Sequence, residues 1–117
     1  MQREEDGGIV ISCDFCGTDW DEVRPMVEGH RGSVLCLECL KLAMAQSEPA
    51  EIAFQCTMCQ QHHQPGKRWW VHPAPPDVPG RNREAALCWD CVRLAAKTYH
   101  KDKDVDFQWD PSKYPRE

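Results

Sequence analysis

The chain has 117 residues, of which 41% are hydrophobic and 28% charged, and its formal net charge is −5. This length accommodates one ordinary domain or two very small ones, and a half-chain of this composition needs a metal, disulfides or a partner to stay folded. No stretch approaches the roughly 20 apolar residues of a transmembrane helix, and no secretory signal is visible at the acidic N-terminus, so we expect a cytoplasmic protein that is not inserted in a membrane.

The first predicted unit spans residues 8–50 and begins with a Cys-x-x-Cys knuckle in the stretch "CDFCG". Gly17 follows the knuckle at a position that commonly requires a positive φ. The segments "VRPMVEG" and "SVL" predict the two strands of a compact hairpin, with a turn at residues 29–32. A second Cys-x-x-Cys pair, in "LCLECLKLAMA", opens a helix whose predicted apolar face contains Leu40, Ala43, Met44 and Ser47.

The second predicted unit spans residues 51–103 and repeats this order. Its knuckle is "CTMC", and "KRWWV" and "EAAL" predict the outgoing and returning strands of its hairpin. The connection "VHPAPPDVPGRNRE" contains four prolines and a glycine, which predicts an extended loop at the hairpin tip. The helix that opens at "LCWDCVRLAAK" has a predicted apolar face formed by Val92, Ala95, Ala96 and Tyr99.

All eight cysteines fall in Cys-x-x-Cys pairs, which predicts two metal sites. Two thiolates three residues apart on a tight turn occupy two corners of a tetrahedron, and a second pair brought in by the fold supplies the other two. We therefore expect two Zn²⁺ per chain, both structural, since four thiolates leave no position for water or substrate. The predicted ligands are Cys13, Cys16, Cys36 and Cys39 in the first unit and Cys56, Cys59, Cys88 and Cys91 in the second.

Other uses of the cysteines fit the pattern less well. A thioredoxin-type redox site has one Cys-x-x-Cys pair in a βαβ setting, and this chain has four pairs without that setting. A disulfide framework conflicts with the predicted cytoplasmic location. Iron in a rubredoxin-like site fits the same ligands and stays open as an alternative metal. His62 and His63 follow the second knuckle, but with four cysteines available we expect them in a solvent-facing loop.

The expected fold is a small, zinc-dependent α+β structure made of two tandem treble-clef units, each a zinc knuckle, a β-hairpin and a helix. The stretch "CDFCGTDWDEVRPMVEGHRGSVLCLECLKLAMA" resembles the N-terminal zinc-binding domain of ClpX, the unfoldase of the Clp protease. The "C-x-F-C-G" knuckle, the "EVR-x-x-x-x-G" strand and the "V-x-C-x-E-C" segment that opens the helix carry this resemblance. The second unit shares only the ligands and the start of the helix, and the AAA+ motor module of ClpX is absent from the sequence.

The resemblance implies that Cys13, Cys16, Cys36 and Cys39 bind zinc and that the unit has an interaction role, since the family's domain dimerises and binds substrates and adaptor proteins. We therefore expect a non-enzymatic module that binds a protein partner, as an adaptor or regulator. The chain has no phosphate-binding loop and no zinc-deaminase signature. We further expect a monomer in which the two copies pack as an intrachain pseudo-dimer, in place of the family's homodimer.

One basic and aromatic cluster indicates an alternative function in nucleic-acid binding. Lys67, Arg68, Trp69 and Trp70 are consecutive, with Arg81 and Arg83 nearby in the loop, and stacking aromatics beside cations bind single-stranded nucleic acid in many proteins. The charge disfavours this function: eight thiolates add −8 and two Zn²⁺ add +4, which takes the formal −5 to −9. The two tryptophans also fit a role in core and inter-unit packing.

Residues 104–117 form a C-terminal tail that mixes charges with Phe107, Trp109 and Tyr114. A charge-rich terminus is more often solvated than ordered. We nevertheless expect residues 105–109 to dock on the second unit, because their aromatic side chains gain from burial.

Overall fold

A computed structural model of the chain describes residues 2–21, 23, 25–73, 81–82, 84–110 and 112. Most of the predicted proline-rich loop, Arg83 within it, and Tyr114 of the tail lie outside the described residues. The protein is a small α+β structure with two helices and four small sheets among the described residues. None of its described helices combines the length and the apolar character that crossing a membrane requires.

The chain begins with a β-hairpin that the sequence analysis did not predict. Strand β1 (Gln2–Glu5) pairs antiparallel with β2 (Gly8–Ile11), and Glu5 lies opposite Gly8. The two residues between them, Asp6 and Gly7, have φ values of 49° and 79°. Positive φ at both central residues is typical of a type I′ turn, whose twist matches that of the flanking strands.

The first unit contains the hairpin and helix expected from its sequence. Its strands are β3 (Met26–Glu28) and β4 (Val34–Cys36), joined by a 3₁₀ turn at His30–Gly32. Helix α1 (Leu37–Gln46) follows directly. The predicted apolar face is confirmed, since Leu40 and Ala43 are buried and Met44 and Ser47 are half-buried.

The second unit repeats this order with shorter strands. Strands β6 (Phe54–Gln55) and β7 (His62–His63) flank the knuckle and pair with each other, while β8 (Arg68–Trp70) and β9 (Leu87–Cys88) form the hairpin. Helix α2 (Trp89–Lys101) follows. Its predicted apolar face is confirmed, because all four members are buried: Val92, Ala95, Ala96 and Tyr99.

The two units share one hydrophobic core instead of having one each. Phe15 of the first knuckle lies against Trp70 of β8, with ring centroids 5.7 Å apart. The Tyr99 hydroxyl donates a 2.9 Å hydrogen bond to the carbonyl of Leu35, far away in sequence. Burial raises the pKa of that hydroxyl, which keeps it a donor.

A short strand after α1 joins the first unit to a sheet of the second unit. Strand β5 (Glu48–Pro49) pairs antiparallel with β8, so one three-stranded sheet runs in the order β5-β8-β9. Two polar contacts lie alongside this pairing: Arg68 donates to the Ser47 carbonyl at 2.7 Å, and the Trp70 indole N–H donates to Gln46 Oε1 at 3.0 Å. The units are therefore joined by backbone pairing as well as by apolar contact.

Residues 105–109 of the C-terminal tail dock on the second unit as expected. Phe107 is buried edge-on against Tyr99, with ring centroids 6.2 Å apart. The Arg93 guanidinium lies over the Trp109 ring, and Val105 is half-buried on the same core. The prediction for residues 105–109 is confirmed.

Candidate metal centres

The structure brings the eight cysteines together in the two predicted groups. Within each group of four, the sulfur atoms all lie within 4.8 Å of one another. Cys13 Sγ is 3.7 Å from Cys39 Sγ and Cys16 Sγ is 3.8 Å from Cys36 Sγ. Cys56 Sγ is 3.7 Å from Cys91 Sγ and Cys59 Sγ is 3.9 Å from Cys88 Sγ.

These separations fit a tetrahedral zinc ion. A Zn–S bond of about 2.3 Å in a regular tetrahedron sets neighbouring sulfurs about 3.8 Å apart. All eight cysteines are free thiols, because the sulfurs are much too far apart for a disulfide. The chain thus has two four-cysteine clusters able to bind zinc, made by a knuckle and the first turn of a helix in each unit.

Backbone amides turn towards the sulfurs in both clusters. The amide of Cys36 donates to Cys13 Sγ at 3.4 Å, and the amide of Cys88 donates to Cys56 Sγ at the same distance. In the first cluster the Cys39 amide also donates to Cys36 Sγ, which caps α1. Donors of this kind stabilise the charged thiolates that zinc requires.

Crowding of four sulfurs separates the thiol pKa values within each cluster. Hydrogen bonds with Cys13 and the other two sulfurs hold the pKa of Cys16 well below its usual range. A hydrogen bond with Cys56 raises the pKa of Cys88 to about 12. The four thiols of one cluster do not all ionise unless a cation balances their charge, and Zn²⁺ supplies that balance.

A polar side chain inside each knuckle fastens the knuckle to the returning strand. The Asp14 carboxylate accepts from the Val34 amide at 2.9 Å, and the Thr57 hydroxyl accepts from the Ala86 amide at 2.9 Å. Both residues directly follow the first cysteine of their pair. Neither residue was predicted from the sequence, although a polar residue at the same position of both copies was the available signal.

The second knuckle makes the same turn as the first without glycine. Gly17 has a φ of 79° and donates its amide to the Cys13 carbonyl, while Gln60 has a φ of 62° and donates to the Cys56 carbonyl. The Gln60 side chain donates to the Thr57 carbonyl at 2.6 Å. This local hydrogen bond offsets part of the cost of a left-handed conformation at a residue with a Cβ atom.

The two histidines after the second knuckle lie outside both sulfur clusters. His62 is exposed, and the His63 ring stacks on Phe54 with centroids 5.1 Å apart. Both residues belong to β7, a strand instead of the predicted loop, because the chain pairs back on residues 54–55.

The basic and aromatic cluster makes contacts within the protein. Lys67 forms a 2.9 Å ion pair with Asp90, and the Arg68 guanidinium lies over the Trp89 ring. Trp70 is buried between the units, and Trp69 packs on Phe54. The packing role considered for the two tryptophans is confirmed.

The two units meet at an apolar groove of about 420 Å³, which we call the inter-unit groove. The hairpin of the first unit forms one wall and the second knuckle with α2 forms the other. Its described lining comprises Val27, Glu28, Gly29, His30, Met58, Cys59, Cys91, Leu94, Ala95 and Thr98. The half-buried sulfurs of the second cluster thus border this groove.

Gly29 allows the close approach of the two walls. The His30 amide donates to the Met58 carbonyl at 2.7 Å, and a Cβ atom on Gly29 would lie 2.5 Å from that same carbonyl oxygen. The φ of Gly29 is −110°, which any residue adopts, so space and not conformation requires glycine here. On the other side of the interface, the Asn82 amide donates to the Asp14 carbonyl at 2.9 Å.

Comparison with protein families finds a match in the first half of the chain. The model of the ClpX C4-type zinc finger matches residues 11–46, which contain the first cluster, its hairpin and α1. Neither the curated proteins nor the solved structures yield a match. The first unit is thus similar to a ClpX-type zinc finger, and the second four-cysteine cluster, at residues 56–91, lies beyond the matched segment.

Proposed function

We propose that this protein is a non-enzymatic interaction module, an adaptor or regulator, whose two treble-clef zinc units hold a binding groove for another protein. The observation that carries the proposal is the inter-unit groove, to which both units contribute a wall. We place its activity in the cytoplasm, where thiols stay reduced and available for zinc.

The surface of the groove fits a protein partner better than a small polar substrate. Leu94 projects from α2 with 64% of its surface exposed, beside the apolar side chains of Val27 and Met58. Exposed apolar side chains next to a groove are typical of protein-binding surfaces. Because the sulfurs of each cluster match a closed tetrahedral site, zinc here has a structural role and no open coordination position.

The shape of the groove depends on zinc in this proposal. Its walls come from different units, and each unit is too small to remain folded without its metal. Loss of either zinc ion would therefore separate the Val27 wall from the Leu94 wall.

Nucleic-acid binding has less support. Among the described residues that suggested it, Lys67 forms a surface ion pair with Asp90, and Trp70 packs on Phe15 in the core. The acidic charge of the zinc-loaded chain also repels phosphates.

Site-specific cross-linking tests the proposal. A photo-reactive phenylalanine replaces Leu94 in the zinc-loaded chain, which is then exposed to an extract of its native host. A matched control carries the same group at Lys97, an exposed residue of α2 outside the groove. We expect a discrete set of cross-linked proteins at position 94 that is absent at position 97 and is lost on chelation.

Two results would contradict the proposal. Identical cross-linking at positions 94 and 97 would show that the groove has no specific partner. Recovery of RNA without protein from the position 94 variant would favour the nucleic-acid function instead.

A further inference from the structure

The N-terminal hairpin carries an apolar surface of its own. Beyond β2, residues 19–20 continue the pairing, with a bridge between Ser12 and Asp19 and a 2.7 Å hydrogen bond from the Trp20 amide to the Ile11 carbonyl. Side chains directly opposite each other in antiparallel pairing lie on the same face, as do those two residues apart on one strand. Ile9, Ile11 and Trp20 therefore share one face, which we call the N-terminal face.

This face remains largely open to solvent. Ile9 is 67% exposed, Trp20 is 43% exposed and Ile11 is half-buried. Scattered single apolar residues on a surface are ordinary, but a contiguous group indicates a contact surface for another molecule. The N-terminal face also lies apart from the inter-unit groove, since none of its three residues lines that groove.

The charge around the N-terminal face is strongly acidic. Residues 1–25 contain seven acidic and two basic side chains, a formal charge of −5, whereas residues 26–117 contain twelve of each. In the described part of this segment the exposed carboxylates are those of Glu4, Glu5, Asp6, Asp19 and Asp21, and Glu4, directly opposite Ile9, shares the N-terminal face. Ion pairs inside the segment do not alter its formal sum of −5.

We propose that the N-terminal face binds a basic peptide segment of a protein partner. Apolar side chains of the peptide pack on Ile9, Ile11 and Trp20, and its lysine or arginine side chains pair with the surrounding carboxylates. This inference rests on the proposed interaction function and adds a second surface to it. Charge selects the occupant: a second copy of the chain would bring two acidic faces together, and a nucleic acid would add phosphates to them.

Labelled model peptides on the full-length, zinc-loaded protein test the inference. One extended peptide alternates Lys and Val, and its matched controls alternate Lys with Ser and Glu with Val. Fluorescence anisotropy at low and high salt measures binding. We expect the Lys–Val peptide to bind at least about tenfold more tightly than either control, and more weakly at high salt because charge attraction is screened.

Surface variants locate the binding. Ile9→Ser and Trp20→Ser each remove apolar surface from the N-terminal face and should weaken Lys–Val binding about tenfold. Leu94→Ser, an equally exposed apolar position in the inter-unit groove, is the matched control and should leave this affinity unchanged. Zinc content and near-UV circular dichroism verify that each variant is folded, and Trp20→Phe should restore most of the affinity.

The outcomes separate this inference from the proposed function. Equal binding of the Lys–Ser and Lys–Val peptides, or full affinity in Ile9→Ser and Trp20→Ser, overturns the N-terminal face as the binding surface. Loss of peptide binding in Leu94→Ser alone also overturns it, while supporting the inter-unit groove. Specific cross-linking at position 94 without peptide binding at the N-terminal face would leave the proposed function standing by itself.

Discussion

The two zinc units make the same knuckle with different side chains. Asp14 and Thr57 occupy equivalent positions in the two knuckles. Each side chain accepts a 2.9 Å hydrogen bond from a backbone amide of the returning strand, although one is a carboxylate and the other a hydroxyl. Gly17 and Gln60 occupy a second pair of equivalent positions, and both have a positive φ. A four-sulfur site constrains the conformation of the backbone around it, and different residue types are compatible with that conformation.

The units differ more in what they contribute to the shared core. The second unit provides aromatic side chains that reach into the first, with Trp70 on Phe15 and Tyr99 on the Leu35 carbonyl. The first unit provides Phe15 and leucine side chains such as Leu35 and Leu40, and it keeps its own exposed tryptophan, Trp20, on the N-terminal face. The second unit thus contributes Trp70 and Tyr99 to the part of the core that covers the first unit.

Removal of one cluster is the strongest test of whether the two units are interdependent. Cys39→Ala and Cys91→Ala each leave three thiols, and a structural zinc site contributes roughly 10 kcal/mol or more to folding. Because the core is shared, we expect either variant to lose the cooperative fold of both units. Metal analysis and circular dichroism measure the effect, and the unaltered protein should bind two zinc ions per chain.

A variant that keeps one zinc ion and an unchanged half of the fold would contradict this expectation. In that case the two units would be independent domains that merely touch.

Trp70→Ala tests the aromatic contribution of the second unit. Truncation of a fully buried aromatic residue costs about 3–5 kcal/mol of the free energy of unfolding, and Trp70 is only 2% exposed. The matched control is Trp69→Ala on the same strand, where the half-buried ring packs within its own unit on Phe54. Urea denaturation should show a clearly larger loss for Trp70→Ala; equal losses would mean that inter-unit burial adds nothing special.

Gly29→Ala tests the close approach between the units. The added Cβ atom would lie 2.5 Å from the Met58 carbonyl oxygen, so the two walls of the inter-unit groove must move apart. We expect a loss of about 1–3 kcal/mol in the free energy of unfolding, as for other overpacked sites. Gly8→Ala is the control, since its Cβ atom would meet only the Glu5 carbonyl oxygen, at 3.7 Å. A stable Gly29→Ala variant would show that this interface is looser than the structure indicates.

Exchange of the knuckle residues should have the smallest effect. Gly17→Gln places a Cβ atom in a left-handed turn and should cost about 1 kcal/mol. Gln60→Gly relieves the same strain but loses the 2.6 Å hydrogen bond to the Thr57 carbonyl, so we expect a change of less than about 0.5 kcal/mol. Thermal denaturation of the zinc-loaded proteins measures both, and equal and opposite shifts would mean that the Gln60 side chain contributes nothing.

Much of the molecule follows from local patterns in the sequence. The spacing of the cysteine pairs predicted both sulfur clusters, and the apolar periodicity predicted the buried faces of α1 and α2. The N-terminal hairpin had a weaker local signal: Asp6-Gly7 is a typical two-residue turn, but only the second strand, residues 8–11, contains strand-forming residues. These features depend on residues close together in the chain, where spacing and backbone preference act directly.

The relation between the two units came only from the tertiary structure. No local pattern shows that Trp70 meets Phe15, that β5 pairs with β8, or that Gly29 is needed to make room for Met58. Such contacts join residues of different units, and the burial that each gains depends on how the whole surface of one unit fits the other. The sequence determined that there are two zinc clusters, and inter-unit packing decided that they stabilise one core with a groove between them.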